Sequence, residues 1–201
     1  GGIDSMVLVR LCHQLQLNFA VVHCNFQLRG NESDDDEMLV IQTCQDGYIP
    51  YFLNSFDTLE FAKENKLSIQ LAARKLRYDW FYKLMNENGF DYILTAHHLD
   101  DSLETFLINF TRGSGLDGLI GIPEQNDKIV RPLLIFSRNE IETFAQKNNI
   151  AWREDSSNAS DKYLRNKLRH DVIPILKELN PSLLSSFENT IKNSKQSQSL
   201  V

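Results

Sequence analysis

The sequence predicts an α/β fold built on a doubly wound, mostly parallel sheet, and three observations point there. Short apolar runs of strand character alternate with longer segments whose apolar residues recur at helical spacing. The chain opens on a Gly-Gly turn, GGIDS at residues 1–5, of the kind that leads into a helix. Its 201 residues suffice for one large α/β domain or for a domain with a small appendage.

After Ser5, Val7, Leu11 and Leu15 share one face of a helix, and Phe19 to His23 reads as a strand. Asn31 to Asp46 is a helix with acids in its first turn, where they suit the dipole, and Gly47 stops it. Ile49 to Leu53 is the next strand. Ser68 caps a long helix carrying Ile69, Ala73, Leu76, Trp80 and Leu84 at helical spacing, and Gly89 ends it. Tyr92 to Ala96 is a strand and Asp100 to Thr111 a helix ended by Gly113. Residues 113–128, with four glycines, form a long loop of a functional kind. Ile129 to Ile135 is a further strand, broken by Pro132, and Ser137 with Glu140 forms a capping box for a helix to about Asn148. The alternation stops after Ala151. Residues 155–160 are loop-like, Asp161 to Asp171 is a basic helix, and Pro181 onward is a polar helix or linker whose tail, SKQSQSL, suits a tether. These shifts divide the chain into a nucleotide-binding domain, 1–151, whose first strand is expected upstream of Gly1, and a helical extension, 152–201.

The composition is that of a cytoplasmic protein, and no apolar run approaches the roughly 18 to 20 residues needed to cross a bilayer. Cys12, Cys24 and Cys44 form no CxxC pair and read as buried packing. The net charge of −6 argues against a polyanionic partner. Its distribution softens that objection: residues 31–37 (NESDDDE) hold five carboxylates, whereas 162–170 (KYLRNKLRH) hold four Lys/Arg and no acid.

In GGIDS the glycines let successive amides face outward while Asp4 and Ser5 start the helix, which places amides, a helix N-terminus and a hydroxyl around one anion. Taken alone, the turn is equally consistent with a plain helix start. It is neither a Walker A loop nor a GxGxxG dinucleotide turn. A second cluster, TAHHLDDSLET at residues 95–105, sits where a strand gives way to a helix, at a carboxyl end where ligands bind. Asp101 and Glu104 share a helix face there and could hold a cation, a substrate ammonium or Mg²⁺, or simply favour the helix N-terminus. His97 and His98 have no partners at metal-ligand spacing and read as hydrogen-bonded or exposed. Arg74, Lys75, Arg77 and Arg29 are phosphate candidates, as are Arg165 and Arg169, which lie i and i+4 on the basic helix.

Together these segments resemble the tRNA(Ile)-lysidine synthetases, within the PP-loop ATP pyrophosphatases. GGIDS is similar to the family's SGGxDS loop without its first Ser. His23-Cys24-Asn25-Phe26-Gln27-Leu28-Arg29-Gly30-Asn31-Glu32-Ser33 resembles the stretch after the second strand, with Phe26 where the family more often has His. Ala73-Arg74 to Arg77-Tyr78 resembles the AR-x-x-RY helix, and His97 to Thr105 the HHxxDxxET segment. Arg112-Gly113-Ser114-Gly115-Leu116 with Gly118, Leu119, Gly121 and Ile122 resembles the most family-specific loop. Arg131-Pro132-Leu133-Leu134, Glu154-Asp155-Ser157-Asn158, and Arg165-Asn166 through Arg169 and Pro174 complete an ordered series across nearly the whole chain.

The resemblance implies a PP-loop ATPase fold of the adenine nucleotide alpha hydrolase type. It implies a ligase that adenylates the wobble cytidine of an isoleucine tRNA and joins free L-lysine to it, releasing AMP and pyrophosphate. ATP and Mg²⁺ are then required. Gly1, Gly2, Ile3, Asp4 and Ser5 would bind ATP with Arg77, and Asp4 would meet the metal. Asp101 and Glu104 would hold the lysine, and Arg29, Arg112, Arg165 and Arg169 would contact the tRNA. No membrane is implied, and a homodimer is compatible. Sulfur transfer, known from other PP-loop enzymes, would want paired cysteines at redox spacing.

Overall fold

The computed structural model describes residues 1–153 and 162–198. The chain divides into two compact units: Gly1–Ile93 with the stretch that begins at Glu142, and Leu94–Ile141 with the last helices.

The first unit is α/β. Its order is α1 (Ile3–Gln14), β1 (Val21–Asn25), α2 (Asn31–Asp46), β2 (Tyr51–Ser55), α3 (Thr58–Glu64) and α4 (Ile69–Asn88). β1 and β2 pair in parallel, with Val21 opposite Tyr51 and Asn25 opposite Ser55. Both strands start two residues later than the sequence predicts. Pro50 has no N–H for a ladder but its carbonyl accepts from Val21, and the Ile49 N–H is spent on Cys44 at the end of α2. α1 buries Ile3, Met6, Val7, Leu8 and Cys12, whereas Leu15, predicted on the buried face, is the C-cap residue and 69% exposed. Met6, Val40, Cys44 and Ile49 form the core, with Val21, Tyr51 and Trp152 packed against it. Each such aliphatic side chain contributes roughly 1.5–3 kcal/mol when fully buried. α4 is capped as its sequence predicts: Ser68 Oγ accepts from the Leu71 N–H at 3.3 Å, and Gly89 leaves the helix left-handed at φ 70°.

At the passage to the second unit lies β3 (Ile93–Leu94), followed by α5 (Leu99–Thr111), β4 (Gln125–Asn126) and β5 (Ile129–Val130). The sheet order is β3-β5-β4, antiparallel between β4 and β5. β3 and β5 are shorter than the predicted 92–96 and 129–135. Pro132 supplies no ladder donor and opens a 3₁₀ turn, Pro132–Ile135, so β5 ends at Val130 and leaves β3 little to pair with. α6 (Arg138–Lys147) carries the predicted capping box.

α7 (Lys162–Lys167) runs through a π-helical turn, Leu168–Val172, into α8 (Ile173–Leu179). Pro174 accounts for the widening: it lacks an N–H, and its ring would crowd the carbonyl of His170 in a regular α-helix. α9 (Leu183–Gln198) is a packed helix over its first turns; Phe187 and Ile191 join Leu99, Leu103 and Ile173 in the second core. Among the described residues no helix is long and apolar enough to cross a membrane.

Candidate functional site

In the first unit the Gly-Gly turn delivers α1 with no side-chain cap. Gly2 is the N-cap residue and, having no side chain, supplies no cap bond to the first turn, so the helix presents an N-terminus suited to an anion. A Cβ on Gly2 would meet nothing within 4 Å, while one on Gly1 would lie 3.0 Å from Asp36 Oδ1. Gly1 is therefore packed and Gly2 faces open space. Asp4 lies in the first turn and Ser5 is exposed; Gly1, Ser5, His23, Thr43 and Cys44 help to line a cavity of about 80 Å³. Burial, the largest cause, pushes the His23 ring down to about 4, so it is neutral at pH 7. Its Nε2 is buried without a partner among the described residues.

The loop after β1 is fastened by its own side chains. Asn25 Nδ2 donates to Asp34 (3.0 Å), Asn25 Oδ1 accepts from the Gln27 N–H (3.0 Å), and Thr58 Oγ1 donates to the Phe26 carbonyl (2.9 Å). Arg77, exposed on α4, is brought to this loop: its guanidinium lies 5.2 Å from the Phe26 ring centroid, and Phe26 stacks on Phe56 at 5.8 Å. Arg29 is held by Asp36. Asp35, Asp36 and Arg153 also belong to the turn's surroundings, and sequence reading passed over all three. Asp35 and Asp36 lie inside a run of acids that the helix dipole explains, and Arg153 has no local pattern to mark it.

In the second unit His98 is 4% exposed and closes the start of α5. Its N–H donates to Asp101 Oδ2 at 3.0 Å, and its Nδ1 accepts from the Asp101 N–H at 3.4 Å. His97 Nδ1 lies 3.0 Å from Thr95 Oγ1. The two histidines are thus hydrogen-bonded, as their spacing suggests, and the described residues hold no cluster of metal-ligand side chains.

Glu104 is 1% exposed, one turn along α5. The basic segment supplies its partners: Arg169 Nε at 2.6 Å from Oε1, Arg169 Nη2 at 3.0 Å from Oε2, and Arg165 Nε at 3.6 Å from Oε2. Arg169 Nη2 also reaches Asp101 Oδ1 at 3.3 Å, and Arg165 Nη2 donates to Thr105 Oγ1 at 3.3 Å. Burial pushes the Glu104 carboxyl up, and the arginines only partly offset it. Asp100, unremarked in the sequence, is buried too. Burial opposes its charge, but Lys177 (2.8 Å) and the Arg138 N–H (2.8 Å) outweigh it and hold the carboxyl below its ordinary value.

The loop after α5 is anchored to it. Asn109 Nδ2 donates to the Gly118 carbonyl at 2.8 Å, and Ser102 Oγ accepts from the Ile122 N–H at 3.0 Å. Arg112 is the exposed C-cap residue of α5. The EDSSN stretch, 154–158, lies outside the described residues.

Chemically, the first unit offers a glycine turn at a helix N-terminus, and the second a buried carboxylate, Glu104, with the half-buried Asp101 beside it, both already in contact with the Arg169 guanidinium. The chain is similar to proteins named tRNA(Ile)-lysidine synthase. Those of Porphyromonas gingivalis and Bacteroides thetaiotaomicron are each 45% identical, over 96% and 94% of this chain but 43% and 45% of their own lengths. That of Chlorobaculum tepidum is 42% identical over 89% of this chain and 55% of its own. The chain spans roughly half the length of these relatives. In fold it is similar to the U34-tRNA thiolase NcsA from Methanococcus maripaludis, solved with its [4Fe-4S] cluster. That likeness has a TM-score of 0.76 at 19% identity and covers 96% of this chain and 69% of the thiolase. Residues 1–176 match the PP-loop domain, and with the Gly-Gly turn at the head of α1 this places the chain in that ATP-binding family.

Proposed function

We propose that the protein of which this chain is part uses ATP to join free L-lysine to the wobble cytidine of an isoleucine tRNA. The observation that carries the reading is the buried Glu104 beside Asp101, a carboxylate pair built to hold a cation. It lies in a PP-loop chain whose relatives at 42–45% identity are named for lysidine formation.

The reaction has two difficulties. The cytosine carbonyl oxygen at carbon 2 is a poor leaving group, so it first attacks the α-phosphorus of ATP, and pyrophosphate departs. The ε-amine of lysine then attacks carbon 2, and AMP leaves with that oxygen. Gly1, Gly2, Ile3 and Ser5 hold the phosphates through amides and a hydroxyl, and Arg77 steadies them. Mg²⁺, with Asp4 as its protein ligand, supplies charge neutralisation when bound.

The amine must be neutral to attack. Its pKa is near 10.4, so deprotonation at pH 7 costs roughly 4.6 kcal/mol. Asp101 and Glu104 hold the ammonium, and the raised pKa of Glu104 suits it to take the proton. Arg29, Arg112, Arg165 and Arg169 contact the tRNA, whose anticodon loop presents the base out of any long stack.

The thiolase likeness suggests sulfur transfer as a second reading, but burial raises all three thiols, Cys24 to about 11, which disfavours the thiolate. The deciding experiment incubates the full-length protein with isoleucine tRNA, ATP and labelled lysine. Label should enter the tRNA with one AMP and one pyrophosphate released per lysine. Absence of label overturns the proposal, and Asp101→Asn transferring lysine at the parental rate overturns the carboxylate assignment.

A further inference from the structure

Contacts from distant parts of the first unit converge on the opening turn. The Gly1 carbonyl accepts the Arg153 N–H at 2.9 Å. The Arg153 guanidinium spans two carboxylates, with Nε 3.2 Å from Asp36 Oδ1 and Nη2 3.0 Å from Asp35 Oδ2. Arg29 takes the other Asp36 oxygen. Asp36, only 13% exposed, lies directly under the turn, where a Cβ on Gly1 would come 3.0 Å from Oδ1 and 3.3 Å from its carbonyl.

A half-buried carboxylate touching a phosphate turn would repel a triphosphate unless neutralised, because screening is weak where water is excluded. We infer that Arg153 is a positioning residue for ATP. With Arg29 it cancels the charge of Asp36, and through its backbone it pins the Gly1 carbonyl so that the turn's amides keep facing the phosphates. The main-chain bond survives any side-chain change, so substituting Arg153 isolates the electrostatic part. This rests on the reading of GGIDS as an ATP site.

The test is calorimetric titration of ATP with Mg²⁺ into the full-length protein. Arg153→Gln should weaken ATP binding about three- to fivefold, the upper range of a partly exposed ion pair. Adding Asp36→Asn should bring the affinity back to within about twofold of the parent, because the charge needing cancellation is gone. Raising the salt from 0.05 to 0.5 M should narrow the gap between Arg153→Gln and the parent. Parental affinity in Arg153→Gln overturns the inference, and so does a double variant as weak as the single one.

If Arg153→Gln does not fold, Asp36→Asn alone decides: binding within about threefold of the parent supports neutralisation, and a loss of tenfold or more overturns it. A parent protein that binds no ATP sinks both this inference and the ATP reading. A parent that binds ATP but transfers no lysine sinks only the lysine step, and the titration still reports on Arg153.

Discussion

At the scale of single residues, Glu104 is the most exacting position. It is buried, acidic and held by a partner 65 residues away, Arg169, whose side chain is 46% exposed. Breaking such a pair leaves one charge stranded in the interior and the other returned to water. Arg169→Met should therefore destabilise the protein by about 2 kcal/mol at pH 7, the cost of an unsatisfied buried charged group after Arg165 takes part of the load. The sign with pH follows from the raised pKa of Glu104. A carboxyl whose folded pKa exceeds its unfolded value favours the folded state below the unfolded value and loses that contribution as pH rises through the folded one. The deficit of Arg169→Met should accordingly shrink toward pH 4, where Glu104 is protonated, in urea melts at both pH values. Asp100 behaves oppositely. Its folded pKa is lowered, so its contribution is present above the ordinary value near 3.8 and is lost as pH falls. Lys177→Met should abolish that acid-side loss.

At the scale of elements, the local signals were legible and the non-local ones were not. Ser68, Gly89 and the Ser137–Glu140 box mark helix ends because their chemistry acts within one turn. Ser137→Ala should cost about 1 kcal/mol, read as a shift in the denaturant midpoint at constant slope. α3 carries an equally local cap, Asp57 accepting from the Glu60 N–H at 2.9 Å, but its seven residues are too few to show a period. The strands failed differently: their ends depend on what a neighbour offers; Pro132 is legible as a break in its strand, but neither it nor Pro50 tells from apolar content at which residue pairing stops. The loop after α5 drew notice for its glycines, and Gly121 shows why one of them is needed. Its φ is 69°, and a Cβ there would lie 2.3 Å from Ser102 Oγ. Gly121→Ala should destabilise by at least ~2 kcal/mol, and Ser102→Gly added to it should recover only the steric part in a double-mutant cycle.

At the scale of the whole molecule, the candidate site was readable as residue types but not as partnerships. Asp101, Glu104, Arg165 and Arg169 all stood out in the sequence, yet nothing local says that the arginines lie on the carboxylates. The net charge of −6 bears on the proposed tRNA contact in the same way. A chain this acidic adds little long-range attraction for RNA, so its own share of the proposed contact rests on a few local phosphate contacts, each adding about 0.7–0.9 to the salt slope of log K. Arg112, exposed at the end of α5, is available for such a contact. Arg165 already donates to Thr105 and lies 3.6 Å from Glu104. Arg112→Gln in the full-length protein should therefore weaken tRNA binding at every sequence context and lower the salt slope by about one. Arg165→Gln should lower it by clearly less, because that guanidinium forfeits its contacts on α5 to reach a phosphate. Filter binding of isoleucine tRNA from 50 to 300 mM salt measures both slopes. Equal reductions would mean that the basic helix leaves α5 when tRNA binds, and an unchanged slope for Arg112→Gln would remove Arg112 from the tRNA contact.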